Sequence, residues 1–508
     1  MKDNKLLKTA GFMAVATLLA KACGLIRDSM IAGYFSAGLE TDAFMTATKL
    51  PTMLFDMVIG GVISASFIPI FTSVKENKGK AQADKFASRF IMLILSVAIL
   101  IAILGIIFSD HLVTLLAPGF EGEKHALTST LSAIMFPMII FTGLAFSFVG
   151  LLQSYGEYNI PAIISLVSNV VIIAYFPLFA DKFGIHGLAY TMLVAWSLQV
   201  IVQIPSLIKF KFRFRPDLKL VDPDIKAALY LAGPMLISTW VQPLYSVINS
   251  RLASGINGAP TTLELANRLY VVMTGVFSFV VTNLIFPKAA KANAENNDKQ
   301  ARELIITSLK SMAFILLPLT IGIIILASPI TSIIYEHNRF DSQSVLNVAN
   351  ALRCYSVGMV ALGVNEVLSK YFFSMKNSRT PMRNSIISIV INIVLAYVLF
   401  AAFKTPGLAL AAAGGSVCNA ILNALSLRDK KLFGKAEWVC VSKMLLCCFI
   451  MGACVFGIYM LLRNELYGFA GNVILCGVCA MLGAVVYFPA SYLMKIDILV
   501  NLFKKGGQ

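Results

Sequence analysis

Charged residues are scarce in this chain of 508 residues. Asp, Glu, Lys and Arg make up 13% of it and hydrophobic residues 58%, whereas soluble domains carry roughly 25% charged residues. This composition excludes an ordinary soluble protein. The chain also has only four histidines, no clustered carboxylates and no G-x-x-x-x-G-K-[ST] phosphate loop. The missing phosphate loop excludes ATP as a direct energy source, and the missing catalytic groups argue against a membrane-embedded enzyme.

Cysteine is present without a pattern that indicates chemistry. The nine cysteines include the sequence CGVC at Cys476–Cys479. A CxxC pair can be a redox or zinc motif, but this one lies in an apolar run without a neighbouring base. We therefore interpret the cysteines as small buried thiols in helices.

Long apolar runs recur along the whole chain, each long enough to cross a bilayer as a helix. Backbone polar groups in lipid must be satisfied internally, so the sequence predicts an all-α polytopic membrane protein. It predicts fourteen transmembrane helices, at about 6–31, 42–72, 89–109, 129–153, 160–180, 184–208, 227–251, 264–287, 303–327, 345–374, 382–403, 407–427, 440–462 and 471–494.

The basic residues predict the orientation of these spans. With a cytoplasmic N-terminus, the inner segments hold 29 Lys and Arg residues and the outer segments hold 6. Cytoplasmic loops are enriched in Lys and Arg, so both termini are predicted to be cytoplasmic. This topology and an affinity for anionic membrane lipids account for the formal net charge of +16 without a nucleic-acid partner.

The chain resembles itself at a spacing of 220 residues. At this offset Phe120 aligns with Phe340, Pro161 with Pro381, and Gly187 with Gly407. The repeat predicts two parallel six-helix lobes plus an extra C-terminal helix pair. The predicted domains are residues 1–222 (spans 1–6), 223–436 (spans 7–12), and 437–508 (spans 13–14 and a cytoplasmic tail). Two-lobe bundles of this kind are typical of transporters.

Three of the predicted spans carry charges inside the membrane. In span 1, Lys21 and Asp28 share a helix face and Arg27 projects beside them. Each such charge costs a few kcal/mol in lipid, so these side chains are expected to face a cavity between the lobes.

Spans 2 and 8 also carry charged side chains inside the predicted membrane region. Span 2 carries Asp42, Lys49 and Asp56 at intervals of seven residues, and span 8 carries Glu264 and Arg268 four residues apart. Structural ion pairs that hold the lobes together are the alternative interpretation. Against it, neither Arg27 nor Arg268 has an obvious surplus acid, and a guanidinium group suits phosphate.

We therefore predict two sets of functional residues. The candidates for binding an anionic, polar substrate are Lys21, Arg27, Lys49 and Arg268. The candidates for gating the conformational change are Asp28, Asp42, Asp56 and Glu264.

Two segments carry a resemblance to a known family. GLIRDSMIAGYFSAGLETDAFMTATKLP (Gly24–Pro51) resembles the opening of the MurJ (MviN) family of lipid II flippases, within the MOP exporter superfamily. ANRLY followed by GVFSFVVTNLIFP (Ala266–Pro287) resembles the eighth helix of that family. The resemblance implies translocation of the undecaprenyl-diphosphate-linked peptidoglycan precursor, lipid II, across the bacterial cytoplasmic membrane.

The resemblance also implies roles for individual residues. Arg27, Asp28 and Arg268 match residues of the family's central cavity, and Lys21 stands where many members have Arg. Asp42 matches the T-D-A-F motif and Lys49 the K-L-P motif.

Three positions depart from the family pattern. Phe55 stands where many members have Arg, and Gly60 and Val271 replace Glu. Asn249, Ser388 and Asn392 occupy roughly the positions of a sodium site described in some members, but without a carboxylate. No cofactor is implied beyond a coupling ion (sodium or proton) or the membrane potential. Lipid II, membrane lipids and other cell-wall synthesis proteins are the implied partners.

Two other functions remain open from sequence. The nearest is a MOP exporter for a different lipid-linked oligosaccharide or a small drug, although small-drug exporters need no extra helix pair. The other is a polyprenyl-phosphate transferase or glycan polymerase, which would need clustered carboxylates with magnesium or a base in a large loop. The sequence favours a transporter and not an enzyme.

Overall fold

In a computed structural model of the chain, all the regular structure of the described residues is helical. The structure describes residues 2–60, 63–217, 222–230, 241–295, 297–375, 377, 379–430, 432 and 434–499. The start of the predicted seventh span, at 231–240, and most of the predicted cytoplasmic tail, at 500–508, lie outside these ranges. The prediction of an all-α protein is confirmed.

Eighteen α-helices are labelled in chain order, and residues 223–230 are also helical. The labelled helices of the first half are α1 (Lys2–Phe35), α2 (Leu39–Phe55), α3 (Ile68–Lys78), α4 (Lys80–Ile107), α5 (Ser109–Leu116), α6 (Gly122–Met135), α7 (Met138–Ser154), α8 (Asn159–Ile201), α9 (Ile204–Lys209) and α10 (Val241–Ala253). Those of the second half are α11 (Ala259–Ala294), α12 (Asp298–Tyr335), α13 (Ser342–Ser356), α14 (Met359–Ser374), α15 (Arg379–Phe403), α16 (Thr405–Leu425), α17 (Lys435–Leu462) and α18 (Gly468–Leu493).

The contacts divide the chain into two compact units, Met1–Thr261 and Thr262–Gln508. Helix α11 begins in the first unit and continues into the second. This division by contacts does not coincide with the repeat boundaries, and the lobes at 1–222 and 223–436 stay a prediction.

Within the described ranges, eight helical segments are long and apolar enough to cross a membrane. A ninth is α13 with α14, if this pair, bent by 46°, forms one span. Helices α1, α2 and α11 are not among them. Helix α2, with 17 residues, is shorter than the roughly 20 residues that a span needs. The count of fourteen spans therefore stays a prediction.

The backbone breaks at positions that are 220 residues apart. Helix α8 consists of two helices joined at Gly184, which has φ 51° and ψ −147°. Lys404, between α15 and α16, has φ 56° and ψ −130°. Glycine adopts positive φ without steric cost, and the second hairpin has the same backbone break at a lysine.

The turns before α6 and α13 also match at this offset. The Phe120 N–H donates to the Ala117 carbonyl at 3.0 Å, and the Phe340 N–H donates to the His337 carbonyl at 3.1 Å. Both phenylalanines are buried, so each ring anchors its turn in the core of its own unit.

The predicted second span changes helix type along its length. Helix α2 ends at Phe55, and π-helical segments follow at Asp56–Gly60 and Ile63–Phe67. The second segment ends at Phe67, which packs against Phe90 with ring centroids 4.9 Å apart. Wide π turns inside α-helices occur frequently at functional sites.

The basic loop after α9 is packed against the first unit. Phe210 stacks on Tyr155 with ring centroids 5.3 Å apart and an interplanar angle of 5°. The buried Arg89 pairs with Asp217 at 2.5 Å and also with Asp222. These contacts fix the loop that sequence analysis places at the cytoplasmic end of the spans.

The C-terminal helix pair packs on α12 in the second unit. Cys447, Cys448 and Cys479 lie in this core, and Tyr487 donates to the Phe314 carbonyl at 2.9 Å. All nine cysteines are free. The CGVC sequence thus lies in helix α18, with Cys479 as a buried thiol.

Candidate functional site

Arg27 lies in the last third of α1, and each nitrogen of its guanidinium group donates a hydrogen bond to a neighbour. Its Nε and Nη2 donate to Oδ1 of Asp28 at 3.0 and 2.8 Å, and its Nη1 donates to Oδ1 of Asn169 at 2.9 Å. The Arg27 side chain is 17% exposed and that of Asp28 is 3% exposed. The expectation that Arg27 lacks a partner acid is wrong, because the adjacent carboxylate turns towards the guanidinium group.

Asn169, on α8, connects this pair to the backbone of α1. Its Nδ2 donates to the carbonyl of Ala20 at 3.1 Å. Asn169 also packs beside Gly24, where an added Cβ would lie 3.6 Å from Asn169 Nδ2, an ordinary van der Waals distance. The amide therefore fixes the Arg27 side chain while leaving it partly accessible.

The two candidate lysines have different environments. Lys21 is half-buried, and within the described residues no carboxylate lies within salt-bridge distance of it, Asp28 included. Lys49 is half-buried and approaches Ser250 Oγ of α10 at 3.4 Å. Lys49 thus points towards the last turn of α10.

Asp42 is the most tightly held of the predicted residues. Its buried carboxylate accepts hydrogen bonds from Lys124 Nζ at 2.6 Å, from the Gly258 N–H at 2.7 Å, and from Thr261. The Thr261 backbone N–H donates at 3.0 Å and its hydroxyl at 2.5 Å. Gly258 precedes α11 and Thr261 lies in its first turn. The free N–H groups at the N-terminus of a helix favour an anion. Asp42 therefore caps α11 from a different helix.

Asp56 occupies the start of the first π-helical segment and is exposed. Its carboxylate lies close to Gly60, where an added Cβ would be 3.4 Å from Asp56 Oδ1. The predicted stripe on span 2 therefore runs from the buried Asp42 through the half-buried Lys49 to an exposed carboxylate. The first two of these residues contact the same segment, 250–261.

Glu264 and Arg268 form the ion pair that their spacing on α11 predicts. Arg268 Nε lies 3.1 Å from Glu264 Oε1, and the side chains are 37% and 17% exposed. The shared helix face is confirmed. The argument that a missing surplus acid counts against structural ion pairs fails for Arg268, as it does for Arg27, because each guanidinium group is paired with a carboxylate of its own helix. Arg268 belongs to the second unit and Arg27 to the first.

The residues named for a sodium site include two orphaned oxygen atoms. Oδ1 of Asn249 and Oδ1 of Asn392 are buried and have no hydrogen-bond partner among the described residues. The Nδ2 of Asn392 donates to the Ala411 carbonyl at 2.7 Å, and Ser388 donates to the Asn384 carbonyl at 2.9 Å. Carbonyl oxygens suit a hard cation. No group of three or more His, Cys, Asp or Glu within the described ranges could hold a metal.

The three positions that depart from the family pattern differ in their surroundings. Phe55 is buried and packs on Phe146 with ring centroids 5.5 Å apart. Val271 is 45% exposed. Gly60 lies in the π-helical segment beside Asp56. An apolar ring thus replaces the charge at position 55 inside the core of the first unit.

Sequence analysis missed the partners of these residues. Lys124 is one of the six Lys and Arg residues of the predicted outer segments, and nothing in the sequence marks Asn169, Ser250, Gly258 and Thr261. Each lies more than 80 residues from the side chain that it contacts. Only the folded chain brings them together.

The apolar helices that are long enough to span a bilayer define a multi-pass membrane protein, and solved structures share this fold. A structure described as lipid II flippase MurJ in an inward closed conformation has a TM-score of 0.81 and 24% identity, covering 96% of this chain and 99% of that one. An inward-facing multidrug resistance MATE transporter of the MOP superfamily has a TM-score of 0.69 and 18% identity, covering 82% and 94%. This chain thus shares its fold with both of these proteins.

Sequence comparison identifies the family within this class. A family model described as lipid II flippase MurJ matches residues 31–476. The probable lipid II flippase MurJ of Rickettsia prowazekii is 28% identical over 500 residues, which cover 97% of this chain and 98% of that protein. The lipid II flippase MurJ of Burkholderia cenocepacia is 28% identical over 441 residues, covering 84% of each. The chain belongs to the MurJ family of lipid II flippases.

Proposed function

We propose that this protein translocates lipid II from the inner to the outer leaflet of the bacterial cytoplasmic membrane by alternating access. The observation that carries the proposal is the family match over residues 31–476, which includes Asp42, Lys49, Glu264 and Arg268. The protein is a multi-pass protein of this membrane. We further propose that it has no enzymatic activity and that other cell-wall synthesis proteins are its partners.

Arg27 is proposed to bind the diphosphate of lipid II, together with Arg268, Lys21 and Lys49. Guanidinium groups form short bidentate contacts with phosphate. Without substrate, Asp28 and Asn169 occupy the donors of Arg27, which offsets the cost of a charge in the membrane. A diphosphate would replace Asp28 as the counter-ion. Asp28 is then free to pair with Arg27 again when the substrate leaves.

Asp42 is proposed to hold the outer ends of spans 2 and 8 together. Its four hydrogen bonds join α2, the first turn of α6 and the first turn of α11. An outward-open state requires that these bonds break. Asp56 and Glu264 are proposed to exchange partners in the same transition, since both can pair with bases along the substrate path.

The proposed architecture has fourteen spans, cytoplasmic termini and two six-helix lobes. The recurrence of backbone breaks at Gly184 and Lys404 supports the lobes. The asymmetric distribution of basic residues supports the orientation. Spans 13 and 14, here α17 and α18, are proposed to add a groove for the polyprenyl tail.

The energy source is proposed to be a coupling ion or the membrane potential. The orphaned Oδ1 atoms of Asn249 and Asn392 fit a sodium ion in chemistry, and the hydroxyl oxygen of Ser388 can act as a further ligand. Because none of these residues is a carboxylate, they would not neutralise the charge of a bound sodium ion. A sodium dependence of transport that Asn249→Ala or Asn392→Ala abolishes would support this assignment.

The test of the proposed function is reconstitution of the purified protein in vesicles with fluorescent lipid II. Outer-leaflet accessibility of the label should rise with time for the wild type and for Lys182→Ala, an exposed basic residue in a predicted outer loop. It should not rise for Arg27→Ala. Vesicles in which the wild type leaves lipid II on its original side would refute the proposal.

The second candidate function is export of another lipid-linked oligosaccharide or a small drug. The structural likeness to MATE transporters favours it. The same vesicles can decide between the two functions. Competition of unlabelled lipid II with the label, and no competition by a cationic drug, supports lipid II as the substrate.

A further inference from the structure

A cavity with both polar and apolar walls lies in the second unit, at one end of the C-terminal helix pair. Its volume is about 310 Å³, within the range of small-molecule sites. It opens where α12 ends, where α13 begins, and between the end of α17 and the start of α18. The polar side chains that line it are Ser328, Ser332, Glu336, Ser342, Arg463 and Asn472.

The cavity presents one carboxylate and one guanidinium group. The Glu336 carboxylate accepts hydrogen bonds from Ser332 and, at 2.7 Å, from Ser342. Asn472 donates to Ser332 Oγ at 2.8 Å, so the acid and its supports form a fixed network across α12, α13 and α18.

Arg463 provides the opposite charge at the end of α17. Within the described residues no carboxylate, that of Glu336 included, lies within salt-bridge distance of its guanidinium group. The two charges therefore line one cavity without neutralising each other. A ligand that carries a cation and an anion a few ångströms apart can satisfy both.

The position of the cavity indicates which ligand has access to it. Tyr467, in the turn after Arg463, is 82% exposed, and Phe469, at the start of α18, is 68% exposed. Leu461 is 71% exposed. Aromatic side chains at the ends of spanning helices lie at the level of lipid headgroups. On the wall of the cavity itself, Leu346 is 43% exposed. The cavity thus joins a charged pocket to an apolar surface.

We propose that this cavity binds the headgroup of a zwitterionic phospholipid, with the phosphate at Arg463 and the ammonium group of ethanolamine at Glu336. An ammonium group can donate hydrogen bonds to a carboxylate, whereas the quaternary ammonium of choline cannot. A phosphatidylglycerol headgroup carries no cation to offer Glu336. Phosphatidylethanolamine is therefore the preferred lipid, with its acyl chains along Leu346 and Leu461. The site is separate from the candidate lipid II residues.

The test is native mass spectrometry of the full-length protein, delipidated in detergent and then incubated with defined mixtures of phosphatidylethanolamine, phosphatidylglycerol and phosphatidylcholine. The wild type should retain phosphatidylethanolamine in preference to the other two. Arg463→Ala should weaken its retention about tenfold, the effect of one charge-assisted contact. The matched control, Lys182→Ala, should bind as the wild type does.

Glu336→Gln tests the contact with the ammonium group separately from the contact with the phosphate. It keeps the hydrogen-bonding shape but removes the charge, so phosphatidylglycerol should bind about as well as phosphatidylethanolamine. Glu465→Gln, which changes an exposed acid in the same turn as Arg463, should leave the preference intact. Thermal unfolding and lipid II transport of all four variants should match those of the wild type in the same detergent or vesicles.

Two results would overturn the proposal. One is a wild-type protein that retains no phosphatidylethanolamine above the level of phosphatidylglycerol. The other is an Arg463→Ala variant with wild-type retention. Because Arg463 and Glu336 are both exposed at a helix end, their replacement is not expected to prevent folding.

Discussion

Asp42 and Lys124 form a salt bridge of 2.6 Å in which the acid is 0% exposed and the base 13% exposed. The carboxylate lies at the start of α2 and also accepts the N–H groups at the first turn of α11. Removing one member of a buried pair leaves an unpaired charge, at a cost of roughly 3–5 kcal/mol. This pair therefore stabilises one conformation, and any state that separates α2 from α11 lacks that contribution.

We expect Asp42→Asn to lower the thermal stability of the purified protein and to reduce transport. Lys124→Met should also destabilise the protein, and the double variant should be less destabilised than the sum of the single ones, since it leaves neither charge unpaired. Thermal unfolding in detergent measures this coupling. Additive effects would show that the pair contributes nothing to the resting state.

A disulfide can lock the same end of the molecule. A Cβ at Gly258 would lie 3.7 Å from the Cβ of Ala37, which is suitable for a disulfide. In a variant without the nine native cysteines, Ala37→Cys with Gly258→Cys should cross-link readily and block transport until reduced. Gly258 has a φ of 77°, so the cysteine there adds about 1 kcal/mol of strain.

The single-cysteine variants are the controls for this experiment. Gly258→Cys carries the strain without the bond, and Ala37→Cys carries neither. Cross-linked protein that still transports lipid II would mean that this end stays closed during transport. Absence of cross-linking would indicate a resting state in which α2 and the start of α11 are apart.

Replacement of either candidate arginine should abolish function. Arg27→Ala and Arg268→Ala are expected to fail in complementing a strain depleted of its flippase, at normal protein levels in the membrane. Arg27→Lys should restore only part of the activity, because it cannot contact both Asp28 and Asn169 in the geometry of a guanidinium group. Full growth with both alanine variants would eliminate these residues as the diphosphate site.

Asp28→Asn should separate binding from transport. The variant removes a negative charge next to the proposed diphosphate, so binding of lipid II to the purified protein should be retained or tighter. Transport should be lost, because Asn cannot neutralise Arg27 after the substrate leaves. Asn169→Ala, which removes a neutral partner of the same guanidinium, is the matched control and should reduce transport less. Loss of binding in Asp28→Asn would contradict this assignment.

Asp341 should make stability sensitive to acid. It caps α13 by accepting the Ser344 N–H at 3.0 Å, and hydrogen bonds to Ser344 lower its pKa from the ordinary value of 3.8. A lowered pKa means that this stabilisation is present above the unfolded pKa and is lost as pH falls through the folded one.

Asp341→Ala should thus lower the free energy of unfolding by about 1 kcal/mol at neutral pH and by less at acidic pH. The repeat supplies the control, since Glu121 stands at the N-cap of α6, 220 residues earlier, without a side-chain capping bond. Glu121→Ala should leave thermal unfolding unchanged at every pH. An equal effect of the two substitutions would show that the Asp341 cap is not formed.

The sequence alone determined the fold class and the family. Apolar runs predict membrane helices because each segment must satisfy its own backbone in lipid, and this requires only local information. The pairing of Glu264 with Arg268 was predictable for the same reason, since four residues on a helix make one turn. Two segments that resemble the family then implied roles for charged residues of spans 1, 2 and 8.

Only the tertiary structure decided what those charges contact. Asp42 meets Thr261 across 219 residues of chain, and Arg27 meets Asn169 across 142. Helical periodicity relates residues a few positions apart, so it cannot predict contacts over separations of this size. The pairing of Arg27 with the adjacent Asp28 was also missed, because neighbours on a helix diverge by about 100° and a side chain must bend to bring them together. The π-helical segments after Asp56 likewise depend on packing, since residue composition does not distinguish a wide turn from an ordinary one. The sequence thus determines which residues are charged and which predicted spans carry them. Packing determines the partner of each charge, because the partner depends on which helices meet.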